Sequence, residues 1–216
     1  MEIANVLQFI DTNAHLDGED FKNDLPEVIQ RAKDAGIAKI FLPSIDLNSV
    51  DSVLEVCQDY SGYTYPMIGL QPEEVKEDYV DVLRQMKKKL DDSFADGKKS
   101  PFIAIGEVGL DFYWSRKYEK EQLVAFEEEI KWAVEYHLPL MIHCRKAQNE
   151  LLHILGKYKN DLCGGVFHCF TGNQKEAAEY LSFDKFVLGI GGVLTFKSSH
   201  LREDIPASVP LERIVL

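Results

Sequence analysis

The sequence is poor in cysteine, and its few cysteines show no pairing pattern. Its 216 residues include four cysteines, with no Cys-x-x-Cys pair and no dense framework. Disulfide-dependent secreted domains need such a framework, whereas cytosolic thiols stay reduced. We therefore predict free thiols in a reducing compartment. The four residues are Cys57, Cys144, Cys163 and Cys169.

Long apolar runs are also missing. No run approaches the roughly 18 residues that indicate a membrane-spanning helix. The start of the sequence, Met1–Asn5, has no basic region ahead of an apolar run, so no signal peptide is visible. We therefore expect a cytoplasmic protein. The length and the 45% hydrophobic content predict a single domain, residues 1–216, with a sizeable core.

Basic residues are fewer than acidic residues in this sequence. Lysine and arginine total 24 against 36 acidic residues, which gives a formal net charge of −12. An acidic surface repels polyphosphate, so tight and extended binding to duplex nucleic acid is disfavoured. A local basic patch would still allow binding of a strand end, a short oligonucleotide or a small phosphate ester.

Strand-like apolar runs alternate with amphipathic stretches from one end of the sequence to the other. Repeated β-α units favour a parallel sheet with right-handed crossovers, and eight strands favour a (β/α)8 TIM barrel. An open parallel α/β sheet is the alternative, although no G-x-G-x-x-G motif follows the first strand. The predicted strands are Leu7–Thr12, Lys39–Pro43, Thr64–Leu70, Phe102–Gly106, Leu138–Ile142, Gly164–Phe167, Lys185–Leu188 and Arg213–Leu216. The main predicted helices lie between them, at 24–35, Leu47–Tyr60, Tyr79–Phe94, Glu119–His137, Ala147–Tyr158 and Gln174–Leu181.

The stretch Phe102–Asp111 contains an acidic residue, Glu107, directly after an unbroken apolar run. A carboxylate at such a position is costly to bury unless it has a partner such as a cation. Gly106 and Gly109 flank the acid and predict a sharp turn, so that the strand ends and presents Glu107 at its C-terminal edge. A loop-capping acid or a lysine-paired acid is the structural alternative.

Other polar residues also follow predicted strands, and together they suggest a metal site. The same edge of the sheet would collect Asp11, Asn13, His15, Gln71, Glu107, His143 and His168. Imidazole and carboxylate groups are ligands of Zn²⁺ and similar ions, and three protein ligands leave one position open for water. The remaining histidines fall in helical or loop stretches, where we expect structural roles. They are His137, His153 and His200.

Six motifs occur in the order and spacing of a known family. They are IDTNAHLD (10–17), GLQP (69–72), IGEVGLD (105–111), MIHCRKA (141–147), FHCFTG (167–172) and GIGGVLTFK (189–197). From Phe9 onward the sequence resembles the TatD family of metal-dependent deoxyribonucleases and related hydrolases. The resemblance implies a TIM barrel of the amidohydrolase-like group.

Some positions differ from the family's motifs. Asn13 replaces the first histidine of its His-x-His motif, and Gln71 replaces the histidine of its Gly-x-His-Pro motif. The aspartate of its Glu-Thr-Asp-Ser-Pro motif would follow Leu216, and Lys146 stands where the family usually has aspartate. The resemblance therefore implies one matched metal site, formed by Glu107, His143 and His168. A second site would keep only His15 and Glu107.

The resemblance also implies a reaction. A divalent ion (Zn, Mg or Mn) would lower the pKa of its bound water to about 7, and the resulting hydroxide would attack a phosphodiester of DNA. Arg145, Lys146 and Lys197 would bind the phosphate oxygens. DNA ends or short oligonucleotides are the expected substrates. One ion is expected to bind tightly at the matched site.

Two other functions are compatible with the sequence. The changed positions favour a degenerate barrel that binds metal or a phosphate ligand without turnover. An amidohydrolase-type enzyme acting on an amide or ester is less consistent, because an intact His-x-His motif is absent. The sequence stops within the predicted eighth strand, so we also expect self-association, as a homo-oligomer, through the side formed by Leu7–Thr12 and Arg213–Leu216.

Overall fold

A computed structural model describes residues 8–216, which form a ring of parallel strands surrounded by helices. The strands are β1 (Phe9–Asp11), β2 (Ile37–Pro43), β3 (Thr64–Ile68), β4 (Ala104–Asp111), β5 (Leu140–Arg145), β6 (Gly165–Phe167), β7 (Phe186–Gly189) and β8 (Ile214–Val215). The helices are α1 (Leu25–Asp34), α2 (Leu47–Asp59), α3 (Tyr79–Phe94), α4 (Glu119–Tyr136), α5 (Gln148–Gly156), α6 (Gln174–Leu181) and α7 (Leu201–Ser208). None of the described helices is long and apolar enough to cross a membrane.

The strands pair in chain order from β1 to β8, and every pair is parallel. At the seam, the backbone N–H of Thr12 donates to the carbonyl oxygen of Leu216 at 2.9 Å, which brings the ends of β1 and β8 together. The ring is thus nearly closed, and the predicted (β/α)8 barrel is confirmed. Leu7, the predicted start of the first strand, lies outside the described residues.

Helix starts follow from local hydrogen-bonding chemistry. The Asp46 side chain accepts from the Ser49 backbone N–H at 2.7 Å, and the Ser49 hydroxyl in turn accepts from the Asp46 backbone N–H. Asn173 and Glu176 form the same reciprocal arrangement before α6. Such capping boxes satisfy donors that a helix start leaves free. Helices α2 and α6 therefore begin at defined residues, whereas the starts of the other five helices have no side-chain cap.

Apolar side chains form two layers of core. The larger layer lies between the strands and the helices and contains, for example, Phe126 and Ile130 of α4, both fully buried. Full burial of such a side chain contributes roughly 1.5–3 kcal/mol. The smaller layer consists of Met67, Ala104 and Met141, on neighbouring strands. Because side chains two apart on a strand share a face, His143 lies on the same face of β5 as Met141.

Strand β4 differs from its prediction, which ended it at Gly106. The strand continues to Asp111, and all eight of its residues are buried. Its pairing with β5 shifts register between Ile105 and Val108. The pairing is therefore locally irregular beside the glycines, and the strand continues beyond them. Gly109 has φ 135°, and a Cβ there would lie 2.0 Å from the His143 carbonyl oxygen. The glycine thus permits close strand pairing where the sequence predicted a turn.

Other predicted strand boundaries were also wrong: β2 begins at Ile37 and not at Lys39, and β3 ends at Ile68 and not at Leu70. Strand β5 runs to Arg145 and not to Ile142, so His143 lies within the strand. Helix α7 was not predicted, because it is short and contains Pro206. His168 does follow β6, as predicted.

Candidate active site

Glu107 is the centre of the candidate site. Its side chain is buried, with 3% of the residue's surface exposed. One carboxylate oxygen, Oε1, lies 3.1 Å from His143 Nδ1. The other, Oε2, accepts from the Asn13 side-chain amide at 3.1 Å and lies 3.3 Å from His15 Nε2. Within residues 8–216, the ion-pair partners of Glu107 are imidazoles, not a lysine.

Asp111 provides a second buried carboxylate at the other side of His143. Its Oδ2 lies 2.9 Å from His143 Nε2, and its Oδ1 accepts from the Tyr113 backbone N–H at 2.8 Å. The Gln122 side chain of α4 accepts from the Asp111 backbone N–H at 2.9 Å. The imidazole is therefore held between Glu107 and Asp111. Sequence reasoning did not select Asp111, although a continuous strand would have placed it on the same face as Glu107.

The pKa shifts in this cluster favour ionised carboxylates and protonated forms of His143 and His15. Burial opposes ionisation of Glu107, but hydrogen bonds with His143 and His15 keep its pKa well below the usual range. The pKa of Asp111 is also lowered, because the His143 and backbone hydrogen bonds outweigh its burial. Burial would lower the pKa of His143, but the two carboxylates raise it to about 9. The pKa of His15 is raised, chiefly by its hydrogen bond with Glu107.

His168 lies near this cluster without an equally close contact. Burial lowers its pKa, and the electrostatic effects of Glu107 and His143 act on it in opposite directions. In the described part of the chain, the three potential ligand atoms that lie within 4.8 Å of one another come from Glu73, Asp111 and His143. The structure thus brings Glu107, His143 and His15 together, but it does not draw His168 into such a compact group. Glu73 was not predicted as a site residue.

The two changed motif positions have different surroundings. Asn13 remains in the site, where its amide donates to Glu107. The Gln71 side chain turns away to its own loop, where it accepts from the Glu73 backbone N–H at 2.8 Å. The loop itself is held by Glu129 of α4, whose Oε1 accepts from the Leu70 backbone N–H at 2.6 Å.

A cavity of about 760 Å³ opens beside the cluster, toward α5 and α6. His168, Arg145 and Lys146 all line it. The Arg145 guanidinium lies 3.7 Å from the centroid of the Tyr113 ring. Lys197, predicted to bind phosphate, is exposed in the segment after β7 and is not part of this lining. Two of the three predicted phosphate-binding residues therefore lie next to the candidate site.

The donor atoms of this cluster suit a divalent cation. Carboxylate oxygens and imidazole nitrogens are ligands of Zn²⁺, and carboxylates also suit Mg²⁺ and Mn²⁺. Glu107 and Asp111 are two buried carboxylates whose charge, in the described chain, is compensated by imidazoles. Cation binding would require His143 to release its proton, since only the neutral ring is a ligand.

Fold and site together define a class: a (β/α)8 barrel with a carboxylate–imidazole centre at the C-terminal ends of its strands, the usual location of active sites in this fold. The family model described as TatD related DNase matches residues 10–216. The chain therefore belongs to the TatD family of metal-dependent hydrolases, as the six motifs predicted.

Individual relatives agree with this assignment. The uncharacterized metal-dependent hydrolase YabD of Bacillus subtilis is 32% identical over 95% of this chain and 77% of its own length. The protein named 3'-5' ssDNA/RNA exonuclease TatD of Klebsiella pneumoniae is 30% identical over 95% of this chain and 75% of its own. The crystal structure of YjjV, a TatD homologue from Escherichia coli, superimposes with a TM-score of 0.85 at 28% identity, covering 96% of this chain and 77% of that one.

Proposed function

We propose that this protein hydrolyses phosphodiester bonds of DNA, acting on strand ends or short single strands. The supporting observation is the buried Glu107–His143–Asp111 cluster, which adjoins a cavity lined by Arg145 and Lys146. Relatives named 3'-5' ssDNA/RNA exonuclease support a single-stranded nucleic acid as the substrate.

In this proposal Glu107, His143 and His168 would hold a divalent metal ion (Zn, Mg or Mn), with His15 next to Glu107. Asp111 and Glu73 supply further carboxylates beside His143. A bound divalent ion acts as a Lewis acid and lowers the pKa of a coordinated water to about 7.

The protein's own residues would orient the substrate and the ligands. Arg145 and Lys146 would bind the phosphate oxygens, because a guanidinium and an ammonium form charge-assisted hydrogen bonds with phosphate. Lys197 would contact phosphates farther along the strand. Asp111 fixes the ring of His143, and an outer partner of this kind typically affects metal affinity or activity 10–100-fold.

A second candidate function is metal or phosphate binding without turnover. Asn13 favours it, because an amide group that donates to Glu107 occupies a position where the family motif has a histidine ligand. A third, hydrolysis of amides or esters, has no specific structural observation in its favour.

A nuclease assay separates these candidates. End-labelled single-stranded oligonucleotides are incubated with the wild type and Mg²⁺, Mn²⁺ or Zn²⁺, alongside Glu107→Gln and the exposed helix α2 variant Glu55→Gln. We expect Glu107→Gln to lower the rate more than about 100-fold, since even outer partners cost 10–100-fold. Glu55→Gln should retain wild-type activity. Metal binding without cleavage would favour the second candidate, and cleavage of an ester or lactone alone would favour the third.

We further propose that the protein is cytoplasmic and that it self-associates. Phe9 and Ile10 of β1 are each about two-fifths exposed, and Leu216 is about half exposed. Such apolar side chains, at the seam between β1 and β8, would favour contact with a second copy. Light scattering across a concentration series measures this, and a constant monomer mass would contradict it.

A further inference from the structure

An exposed aromatic pair follows β4 directly above the candidate site. Tyr113 is 49% exposed and Trp114 is 65% exposed. Their rings meet edge to face, with centroids 4.8 Å apart and planes at 82°. Exposed large aromatic side chains, when held in place, are typical of surfaces that bind another molecule. We call Tyr113 and Trp114 the aromatic platform.

The aromatic platform is fixed by a residue of the site. Asp111 Oδ1 accepts from the backbone N–H of Tyr113 at 2.8 Å and is 3.5 Å from that of Trp114. The other oxygen of the same carboxylate contacts His143. The position of both rings is therefore coupled to the position of the candidate metal ligands.

Cations adjoin the aromatic platform on one side. The Arg145 guanidinium covers one face of Tyr113 at 3.7 Å and lies 5.1 Å from the centroid of the Trp114 ring. Tyr113 lines the large cavity together with Arg116, Arg145 and Lys146. Because Arg145 already occupies a face of Tyr113, the more exposed Trp114 ring offers the larger free face.

On its other side the aromatic platform adjoins the carboxylate cluster. Trp114 lines a small cavity of about 120 Å³ together with Glu73 and Asp111. A ligand resting on Trp114 would therefore lie between carboxylates that can hold a cation and arginines that can hold a phosphate. Single-stranded nucleic acid suits this place, since its flat base can rest on the ring while its anionic backbone contacts the arginines.

We propose that Trp114, supported by Tyr113 and Arg145, stacks against an unpaired base of the nucleic-acid substrate. This inference rests on the proposed function and assigns a residue to substrate recognition. The base that contacts Trp114 must be unpaired, because a paired base cannot leave its stack without cost. Stacking tolerates any base, since each has a flat π face. The aromatic platform would thus favour strand ends and single strands without reading their sequence.

Binding to a variant with strongly reduced turnover tests the proposal. In Glu107→Gln, the affinity for a short single-stranded DNA is compared with that for the same strand carrying abasic tetrahydrofuran units at its end. Adding Trp114→Ala should weaken binding of the normal strand about 5- to 100-fold and leave the abasic strand unchanged. The control Val80→Ala removes an apolar side chain of similar exposure, 61%, from α3 and should change neither affinity.

Fluorescence provides a second readout, because the protein has two tryptophans. Trp132 is buried, with 2% exposure, so quenching by added DNA reports on Trp114. We expect quenching by the normal strand, little by the abasic strand, and none in Trp114→Phe. If Trp114→Ala weakens binding of both strands equally, or weakens neither, the stacking proposal is overturned. Cleavage by the wild type would then still support the proposed function. Absence of both binding and cleavage in the wild type would instead overturn the proposed function with it.

Discussion

At the scale of single residues, the pKa values of buried carboxyl groups in this protein are shifted in opposite directions. Glu107 and Asp111 face imidazole groups that lower their pKa. Among residues 8–216 no imidazole pairs with Glu129 of α4, and burial raises its pKa well above the ordinary value of 4.5. The Glu129 carboxyl group accepts a hydrogen bond from the Leu70 backbone N–H, just before the loop that carries Glu73. The difference follows from the neighbours, because all three side chains are buried.

Glu129 predicts a pH-dependent stability. Because its folded-state pKa is raised, its contribution is fully present below about pH 4.5 and is lost as pH rises toward the folded-state pKa. Glu129→Gln keeps an acceptor for the Leu70 N–H but cannot ionise. Relative to the wild type, this variant should therefore gain unfolding free energy between pH 5 and pH 8, measured by urea denaturation. Glu27→Gln, an exposed change on α1, is the control; parallel pH profiles for Glu129→Gln and the wild type would contradict the prediction.

At the scale of elements, strand β4 determines the site. Its register shift lets the chain continue past Glu107 and carry Asp111 to the same imidazole. Gly109 makes this possible, because its φ of 135° and its distance to the His143 backbone exclude a side chain. The same close approach sets the position of His143, whose carbonyl oxygen a Cβ on Gly109 would meet.

A substitution at Gly109 should therefore lower the unfolding free energy and disturb the geometry of the candidate site. Gly109→Ala is expected to lower the unfolding free energy by about 2–4 kcal/mol, in the range of strained-backbone and steric substitutions. Gly156→Ala is the matched control, because nothing lies within 4 Å of the added Cβ at the end of α5. Alanine there should be neutral or stabilise by about 0.5–1 kcal/mol. Denaturant unfolding measures both, and equal stabilities of the two variants would argue against the close approach.

At the scale of the whole molecule, an acidic protein has a local set of cations beside its candidate site. The net charge of −12 opposes nucleic-acid binding in general, while Arg145 and Lys146 line the cavity next to His168. Repulsion from the remaining surface acts over about one Debye length, roughly 8–10 Å at physiological salt. Glu150, Glu176 and Glu179 also line the cavity, so its cations offset only part of the local negative charge; a short strand still meets fewer acidic residues than a long duplex.

Salt dependence measures the part of the affinity that these cations supply. Each phosphate contact on a single strand contributes about −0.7 to the slope of log K against log salt concentration. Replacing Arg145 and Lys146 by glutamine should therefore reduce the slope by about 1.4 if each contacts one phosphate. Replacing Lys22 and Lys88, whose side chains are about 70% exposed, changes the net charge equally and should leave the slope near its wild-type value. Equal slopes for both double variants would exclude local phosphate contacts.

Local patterns in the sequence were sufficient to predict the architecture and part of the site. Alternating apolar runs and amphipathic segments predicted the eight strands and six of the seven α-helices, because burial on both faces of a parallel strand leaves a local pattern. The six motifs identified the family, and they contain His15, Glu107 and His143, which the structure brings together. Placement of His168 after β6 was also predicted correctly.

The way in which these residues come together depends on contacts between distant segments of the chain. The prediction ended β4 at Gly106, because glycines beside an acid resemble a turn, and so it missed the continuation that joins Asp111 to His143. Glu73 lies on a different loop, and nothing local in the sequence places it near these residues. Pairing register and close backbone approach involve segments far apart in the chain, and a shift of one residue moves every side chain to the opposite face. Local periodicity contains no information on that choice, which the packed barrel fixes through contacts such as Gly109 against His143.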